Sequence, residues 1–207
     1  MREPENINEV ETLEVDFLGF IFYSGSSRYI GDCRGYLETM QLYTKPKAGV
    51  FVNETFDNII EKAELCSLDY LQLHGNETPD LCSELRQRGY SVIKVFSIAT
   101  ADDFKATEKY SGCCDYFLFD TKCTGYGGSG RRFDWSLLDE YKGQTPFLLS
   151  GGLTPDCAVD IKQINHPQFA GIDLNSGFEI SPAKKDIDKL KSFINHVRKP
   201  DNKKQLL

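Results

Sequence analysis

The sequence lacks the features that define several large classes of protein. It contains no apolar run near the roughly 18 residues that a membrane span requires, and no secretory leader opens it. Its formal net charge of −7 argues against a nucleic-acid partner, which would need a basic surface. We therefore expect a cytoplasmic protein with neither a membrane nor a nucleic-acid partner.

Metal-binding and disulfide patterns are missing as well. The seven cysteines include no C-x-x-C pair, and the three histidines are scattered at positions 74, 166 and 196. This distribution argues against a zinc site or a disulfide framework and favours reduced thiols in a cytosol. No metal site is predicted.

What the sequence does contain is a regular alternation of strand and helix patterns. Seven apolar runs predict strands near residues 15–22, 47–52, 70–73, 91–96, 115–120, 146–150 and 170–174. Helices are predicted at 4–13, 31–44, 55–66, 79–88, 101–110, 135–141, 155–164 and 186–198. Such alternation is typical of parallel strands joined by right-handed crossovers.

The count of elements favours one fold class. Seven strands that follow a leading helix predict an α/β fold of the TIM-type (β/α)8 barrel class with its first strand absent. We expect a single domain over residues 1–207, with 199–207 as a flexible tail. A doubly wound open sheet is the alternative, but no G-x-G-x-x-G follows the first strand.

The stretch from Asp115 to Gly130 carries the strongest candidate for chemistry. An apolar run ends there on Asp120 and opens into a loop with four glycines. An acid at the carboxyl end of a buried strand is well placed for catalysis in an α/β protein, although it could equally cap the next turn.

Other candidate residues follow the remaining strands. The turns S-G-G-L-T-P and D-L-N-S-G-F, on the last two strands, are predicted phosphate sites. Arg28 could hold a substrate carboxylate or be a surface arginine. His74 could be a hydrogen-bonded strand-end residue or a catalytic one. The strand ends also carry Asn53, Gln72, Ser150 and Asp173.

Several motifs, in this order and spacing, resemble the phosphoribosylanthranilate isomerase family of tryptophan biosynthesis. The resemblance extends from Met1 to about Arg198. The motifs are R-E-P-E-N-I, D-F-L-G-F-I-F-Y-x-x-S-S-R-Y-I, V-F-V-N, L-Q-L-H-G, F-D-T-K-x-x-G-Y-G-G-S-G-x-x-F-D-W, L-S-G-G-L-T-P and D-L-N-S-G-F-E.

The resemblance implies an Amadori rearrangement of N-(5-phosphoribosyl)anthranilate, an aldose–ketose isomerisation that uses no metal or organic cofactor. Asp120 would be the general acid, and Arg28 would hold the anthranilate carboxylate. The phosphate site would be formed by Gly151, Gly152, Asn175, Ser176 and Gly177. The remaining substrate-binding residues would be Gln72, His74, Gly128 and Asp173.

The sequence departs from the family pattern in one respect. Family members begin with a strand that ends in Cys-Gly, just before the Met-Arg at positions 1–2, and that cysteine is the general base. We therefore expect residues 1–207 to form an incomplete barrel of low activity, with Cys123 a remote candidate for a replacement base. Open sheet edges would favour self-association. The alternative functions are a non-catalytic phosphosugar-binding barrel and another phosphosugar isomerase or epimerase.

Overall fold

Seven parallel strands form a curled sheet in which each strand pairs with the next one along the chain. The computed structural model describes residues 1–31, 35, 37–121, 133–198 and 205–206. The strands are β1 Leu18–Ile21, β2 Lys47–Phe51, β3 Tyr70–Leu73, β4 Ser91–Ile98, β5 Tyr116–Thr121, β6 Phe147–Leu149 and β7 Phe169–Ile172. The predicted α/β class and the predicted seven strands are confirmed.

Three further short strands follow β7. The strands β8 (Glu179–Ser181) and β9 (Lys184–Lys185) form a separate antiparallel hairpin. The strand β10 (Gln205–Leu206) pairs in parallel with β7, opposite Gly171 and Ile172. The sequence predicts neither the hairpin nor β10, because strands of two or three residues are too short to show a recognisable apolar pattern. The pairing of β10 gives the outer edge of β7 a main-chain partner.

Helices cover the outer face of the sheet. The α-helices are α1 Pro4–Glu11, α2 Leu37–Leu42, α3 Phe56–Leu65, α4 Pro79–Gln87, α5 Ala158–Gln163 and α6 Ile187–Val197. Four 3₁₀ segments occupy Ala101–Tyr110, Trp135–Glu140, Pro155–Cys157 and Ser176–Phe178.

Side-chain caps explain where several helices begin. The oxygens of Thr55, Thr78 and Asp186 each accept a hydrogen bond from the backbone N–H three residues on, at 3.4, 3.3 and 3.0 Å. Such caps satisfy backbone donors that have no partner within the helix. Beyond the last turn of α4, Gly89 takes a φ of +94°, the left-handed conformation in which a glycine commonly ends a helix.

The helix predicted over 101–110 is a 3₁₀-helix, Ala101–Tyr110. Its buried residues are Phe104, Thr107 and Tyr110, which recur at intervals of three. A helix with three residues per turn places all of them on one face, whereas an α-helix would rotate them progressively off it.

The two faces of the sheet have separate apolar clusters. The larger cluster lies between the sheet and the helices and includes the buried rings of Phe20, Phe51 and Phe119. The smaller cluster lies on the inner, concave face and consists of Ile93, Val95, Leu118 and Leu148. Because side chains alternate along a strand, β4, β5 and β6 each contribute buried residues to both clusters.

One buried lysine ties β4 to the end of β3. The Lys94 side chain is 3% exposed. Its ammonium group donates to the carbonyls of Leu73 at 3.1 Å, Gly75 at 2.9 Å and Val95 at 3.2 Å, and to the Glu77 carboxylate at 3.1 Å. A buried ammonium needs this many acceptors to offset its lost hydration.

The carboxylate of Glu77 extends this network to the next turn. It accepts from the backbone N–H groups of Asn53, at 2.8 Å, and Gly75, at 2.9 Å. Leu73 and Gly75 lie on either side of His74, and the carbonyls of both accept from Lys94. The backbone of His74 is therefore held on both sides.

We predict that Lys94→Met lowers the free energy of unfolding by about 3–5 kcal/mol, because it leaves the Glu77 carboxylate buried without its cation. Urea denaturation measures the loss. The matched control is Lys105→Met, which breaks an exposed pair with Asp102 and should leave the midpoint unchanged. Equal midpoints for the two variants would contradict the prediction.

Candidate active site

A cavity opens at the carboxyl ends of the strands. Its volume is about 1510 Å³ including the open mouth. It brings together most of the residues that the sequence predicts for the site: Arg28, Gln72, His74, Asp120, Gly151, Gly152, Asp173, Asn175 and Ser176.

Strand alternation explains why polar side chains collect there. On β5 the inward series runs from Leu118, in the small apolar cluster, to Asp120 in the cavity. On β6 it runs from Leu148 to Ser150, which follows the strand. Each inward series is thus apolar deep in the sheet and polar at its carboxyl end.

Asp120 and His74 form the central contact of the cavity. The His74 Nε2 atom lies 3.5 Å from the Asp120 Oδ2 atom, and the two side chains are 27% and 17% exposed. The Asp120 Oδ1 atom accepts from the Thr121 backbone N–H at 2.7 Å. One carboxylate oxygen therefore fixes the side chain, and the other faces an imidazole and the open cavity.

Asp173 is a second acid close to this contact. Burial raises its pKa, and the negative charge of Asp120 raises it further. Lys185, the hydrogen bond to Gln72 and His74 oppose that shift without cancelling it. Asp173 therefore keeps a proton to a higher pH than an exposed aspartate does.

The predicted phosphate turns contact Asp120 and each other. Gly151 and Gly152 have φ values of +82° and +68°. A Cβ atom on Gly151 would lie 2.2 Å from the Asp120 Oδ1 atom, and one on Gly177 would lie 2.0 Å from the Leu153 carbonyl oxygen. Glycine is thus required at both positions by close packing, and at Gly151 by backbone conformation as well.

Arg28 lies on a loop that folds back along β1. The Ile30 N–H donates to the Ile21 carbonyl at 2.9 Å, and the Arg28 N–H donates to the Ser26 hydroxyl at 3.1 Å. The guanidinium faces the cavity but is already bound to a carboxylate. Its Nε and Nη2 atoms both lie 2.8 Å from the Oε2 atom of Glu179.

Sequence reasoning missed Glu179 and Lys185. Both are buried beside the cavity, and Lys185 lines it. Glu179 ends the motif D-L-N-S-G-F-E, but no role was assigned to it, and the only signal for Lys185 was its charge in a segment that also suits a solvent-exposed turn.

Other candidates have different outcomes. Asn53, noted at the end of a strand, has a φ of +52° and accepts from the Asn76 N–H at 2.7 Å, so it shapes a turn rather than the cavity wall. Gly128 and Cys123 lie outside the described residues, and their predicted roles are not tested.

Metal-binding and membrane-spanning features can be assessed for the described part of the chain. Within it, no group of three His, Cys, Asp or Glu side chains is arranged to hold a metal ion. None of its helices has the length and apolar character needed to cross a bilayer.

The fold and the cavity define a β/α-barrel protein equipped for acid–base chemistry beside a pair of glycine turns. A family model described as N-(5'phosphoribosyl)anthranilate (PRA) isomerase matches residues 1–196. The chain belongs to this family, and it is therefore an isomerase of tryptophan biosynthesis.

Relatives of the same activity match almost the whole chain. The N-(5'-phosphoribosyl)anthranilate isomerase of Parabacteroides distasonis is 58% identical over 203 residues, covering 97% of this chain and 91% of the relative. That of Phocaeicola vulgatus is 51% identical over 198 residues, covering 96% of this chain and 95% of the relative.

Solved structures agree on the fold. The phosphoribosyl anthranilate isomerase from Thermotoga maritima superposes with a TM-score of 0.83 at 32% identity, covering 96% of this chain and 95% of that one. A second such isomerase was solved with reduced 1-(o-carboxyphenylamino)-1-deoxyribulose 5-phosphate. It gives a TM-score of 0.80 at 29% identity, covering 96% and 95%.

We predict that Gly151→Ala destabilises the chain more than Gly89→Ala does. Both glycines have positive φ, but a Cβ on Gly89 meets nothing within 4 Å. Gly89→Ala should therefore show backbone strain alone, about 1–2 kcal/mol. Gly151→Ala adds a collision with the Asp120 carboxylate. Thermal denaturation compares them, and equal losses would show that the Asp120 contact is not tight.

Proposed function

We propose that the cavity converts N-(5-phosphoribosyl)anthranilate into 1-(carboxyphenylamino)-1-deoxyribulose 5-phosphate. The observation that carries this proposal is the position of Asp120 between His74 and the glycine turn at Gly151. A carboxyl group so placed reaches both the imidazole and any phosphosugar held by the turn.

Asp120 is the proposed general acid. Protonation of the furanose ring oxygen breaks the bond from that oxygen to C1 and gives a Schiff base with the anthranilate nitrogen. A base then removes the C2 proton, and the resulting enolamine becomes the aminoketose. The substrate's nitrogen takes up the developing charge, so no cofactor is needed.

Substrate binding is divided between two ends of the cavity. The phosphate is assigned to Gly151, Gly152, Asn175, Ser176 and Gly177, whose two turns touch each other. The anthranilate carboxylate is assigned to Arg28. His74, Gln72 and Asp173 lie around Asp120 and would contact the ribose. Gly128 keeps its assignment as a further binding residue.

The base that removes the C2 proton is not supplied by a thiol in the described part of the cavity. The described part of the chain contains five cysteines, and none of them lines the cavity. They are Cys66, Cys82, Cys113, Cys114 and Cys157. We therefore infer slow turnover for residues 1–207. The second candidate function, a non-catalytic phosphosugar-binding barrel, is favoured by the same observation.

A cytoplasmic location is part of the proposal. None of the five described cysteines forms a disulfide bond, which suits a reducing compartment.

Self-association through β1 is also proposed. Leu18 and Phe22 donate to carbonyls on the β2 side. Alternation therefore turns Gly19 and Ile21 toward the opposite edge, where no described strand of the sheet pairs with β1. There the Met1 amino group donates to the Gly19 carbonyl at 3.0 Å, and the Ile30 N–H donates to the Ile21 carbonyl at 2.9 Å. An edge that its own chain covers only in part can pair with a second copy of the chain.

We predict that Asp120→Asn lowers the rate of isomerisation about 10²–10⁴-fold, since the amide cannot donate the proton that a general acid supplies. Conversion should be measured at high enzyme concentration, for residues 1–207 and for a form extended at its amino end by a strand ending in Cys-Gly. Both should still bind the reduced product analogue.

The control for this experiment is Asp57→Asn, an exposed residue in the first turn of α3, which should keep its rate. An Asp120→Asn variant as fast as the parent would overturn the role of Asp120. Analogue binding without turnover in either form would favour the non-catalytic candidate.

For self-association we predict that Gly19→Pro shifts the chain toward monomer in sedimentation velocity. Proline removes the backbone donor at this edge position. Gly19→Ala is the control, because it keeps the N–H and its Cβ meets nothing within 4 Å. A chain that sediments as a monomer at every concentration would refute the proposal.

A further inference from the structure

The hairpin β8–β9 carries two buried charges that the proposed reaction does not use. The side chains of Glu179 and Lys185 are only 4% and 9% exposed. Burying an ion pair costs hydration, and the cost is offset only by well-placed partners. The contacts of each residue therefore show what the pair holds in place.

Glu179 is shared by two cations. Its carboxylate accepts from the Arg28 Nε atom at 2.8 Å and from the Lys185 ammonium at 3.3 Å. Burial alone would raise the pKa of Glu179, but Arg28 and Lys185 outweigh it and hold the pKa below its usual range. Glu179 is thus ionised at neutral pH, and it occupies the Nε and Nη2 side of the arginine fork. The Nη1 edge is the part that Glu179 leaves to a ligand.

Lys185 connects this pair to the predicted phosphate turn. Its ammonium group donates to the Leu174 carbonyl at 3.2 Å and to the Asn175 Oδ1 atom at 2.9 Å. A continuous series of polar contacts therefore joins Arg28 to Asn175 through Glu179 and Lys185.

The backbone of Lys185 is fixed independently from helix α1. Asn6, which is 4% exposed, donates from its side-chain amide to the Lys185 carbonyl at 2.9 Å. It also accepts from the Lys185 N–H at 2.7 Å. These two bonds occupy the main-chain groups of Lys185 on the edge of β9, beside its pairing with β8, so the lysine is held by both its main chain and its side chain.

We infer that Glu179 and Lys185 are positioning residues that set the distance between the carboxylate-binding and phosphate-binding ends of the cavity. Glu179 aims the arginine fork, and Lys185 holds Asn175 in the phosphate turn. Together they select phosphosugars that also carry a carboxylate at the matching separation. This inference rests on the proposed function, because it assumes that Arg28 and Asn175 contact the ligand.

The test compares two ligands by calorimetry. One is reduced 1-(o-carboxyphenylamino)-1-deoxyribulose 5-phosphate, and the other is the same compound without its carboxylate. The ratio of the two dissociation constants reports Arg28 alone, whereas general damage to the fold weakens both ligands together.

Glu179→Asp is the main variant, since it keeps the negative charge but shortens its reach by one methylene group. We predict that it weakens binding of the carboxylated ligand about 10-fold, the value of one hydrogen bond to a charged group. Binding of the ligand without the carboxylate should not change. Should this variant fail to fold, Glu179→Gln is judged by the same ratio.

Lys185→Met should weaken both ligands alike, because its effect falls on the phosphate turn. The control is Lys184→Met, on the same strand. Lys184 forms an exposed pair with Glu3, and its loss should leave both dissociation constants unchanged.

The outcomes separate this inference from the proposed function. If the unaltered chain binds neither ligand, the proposed function fails. If it prefers the carboxylated ligand and Glu179→Asp keeps that preference in full, the positioning role of Glu179 is refuted. A loss of both ligands in equal measure in Glu179→Asp refutes it as well.

Discussion

The ammonium groups of Lys94 and Lys185 impose the constraint on which the rim of the cavity depends. Each lysine is buried, and each is bound to one glutamate and to main-chain carbonyls at the end of a strand. A buried ammonium tolerates few arrangements, because every lost acceptor costs free energy that hydration no longer supplies. Lys94 binds the carbonyls of Leu73 and Gly75, on either side of His74, and Lys185 binds the carbonyl of Leu174, next to Asn175. Turns that would otherwise be loose are thereby fixed around the site.

On the concave face of the sheet, the residues that stabilise the fold and the residues available for chemistry lie at different depths along the strand. Its deep part is apolar, as at Leu118 and Leu148, and its outer part is polar, as at Asp120 and Ser150. The acid therefore stands on a packed strand rather than on a loop, and its neighbours are held by main-chain hydrogen bonds. This arrangement suits proton transfer, which depends on the position of the donor more than on its number of contacts.

The sequence was informative where one local pattern had one structural solution. An apolar run that ends on Asp120 predicts a buried strand with an acid at its carboxyl end, and β5 has that form. Spacing was less informative for 101–110, where Phe104, Thr107 and Tyr110 suit a 3₁₀-helix but the propensities suit an α-helix. The burial of Glu179 and Lys185 could not be predicted, because a buried charge and a solvent-exposed one look alike in the sequence until the partner from a distant part of the chain, here Arg28, is known.

The contacts of the two glycine turns have a consequence for how the site can change over generations. Gly151 packs against the acid, and Gly177 packs against the carbonyl of Leu153 in the other turn. A side chain introduced at either glycine displaces a group that a different segment needs. Effects of substitutions in these segments are then not additive. The two glycine turns and the end of β5 that carries Asp120 are therefore epistatically linked. An altered ligand specificity would have to arise through coordinated replacements in all three segments.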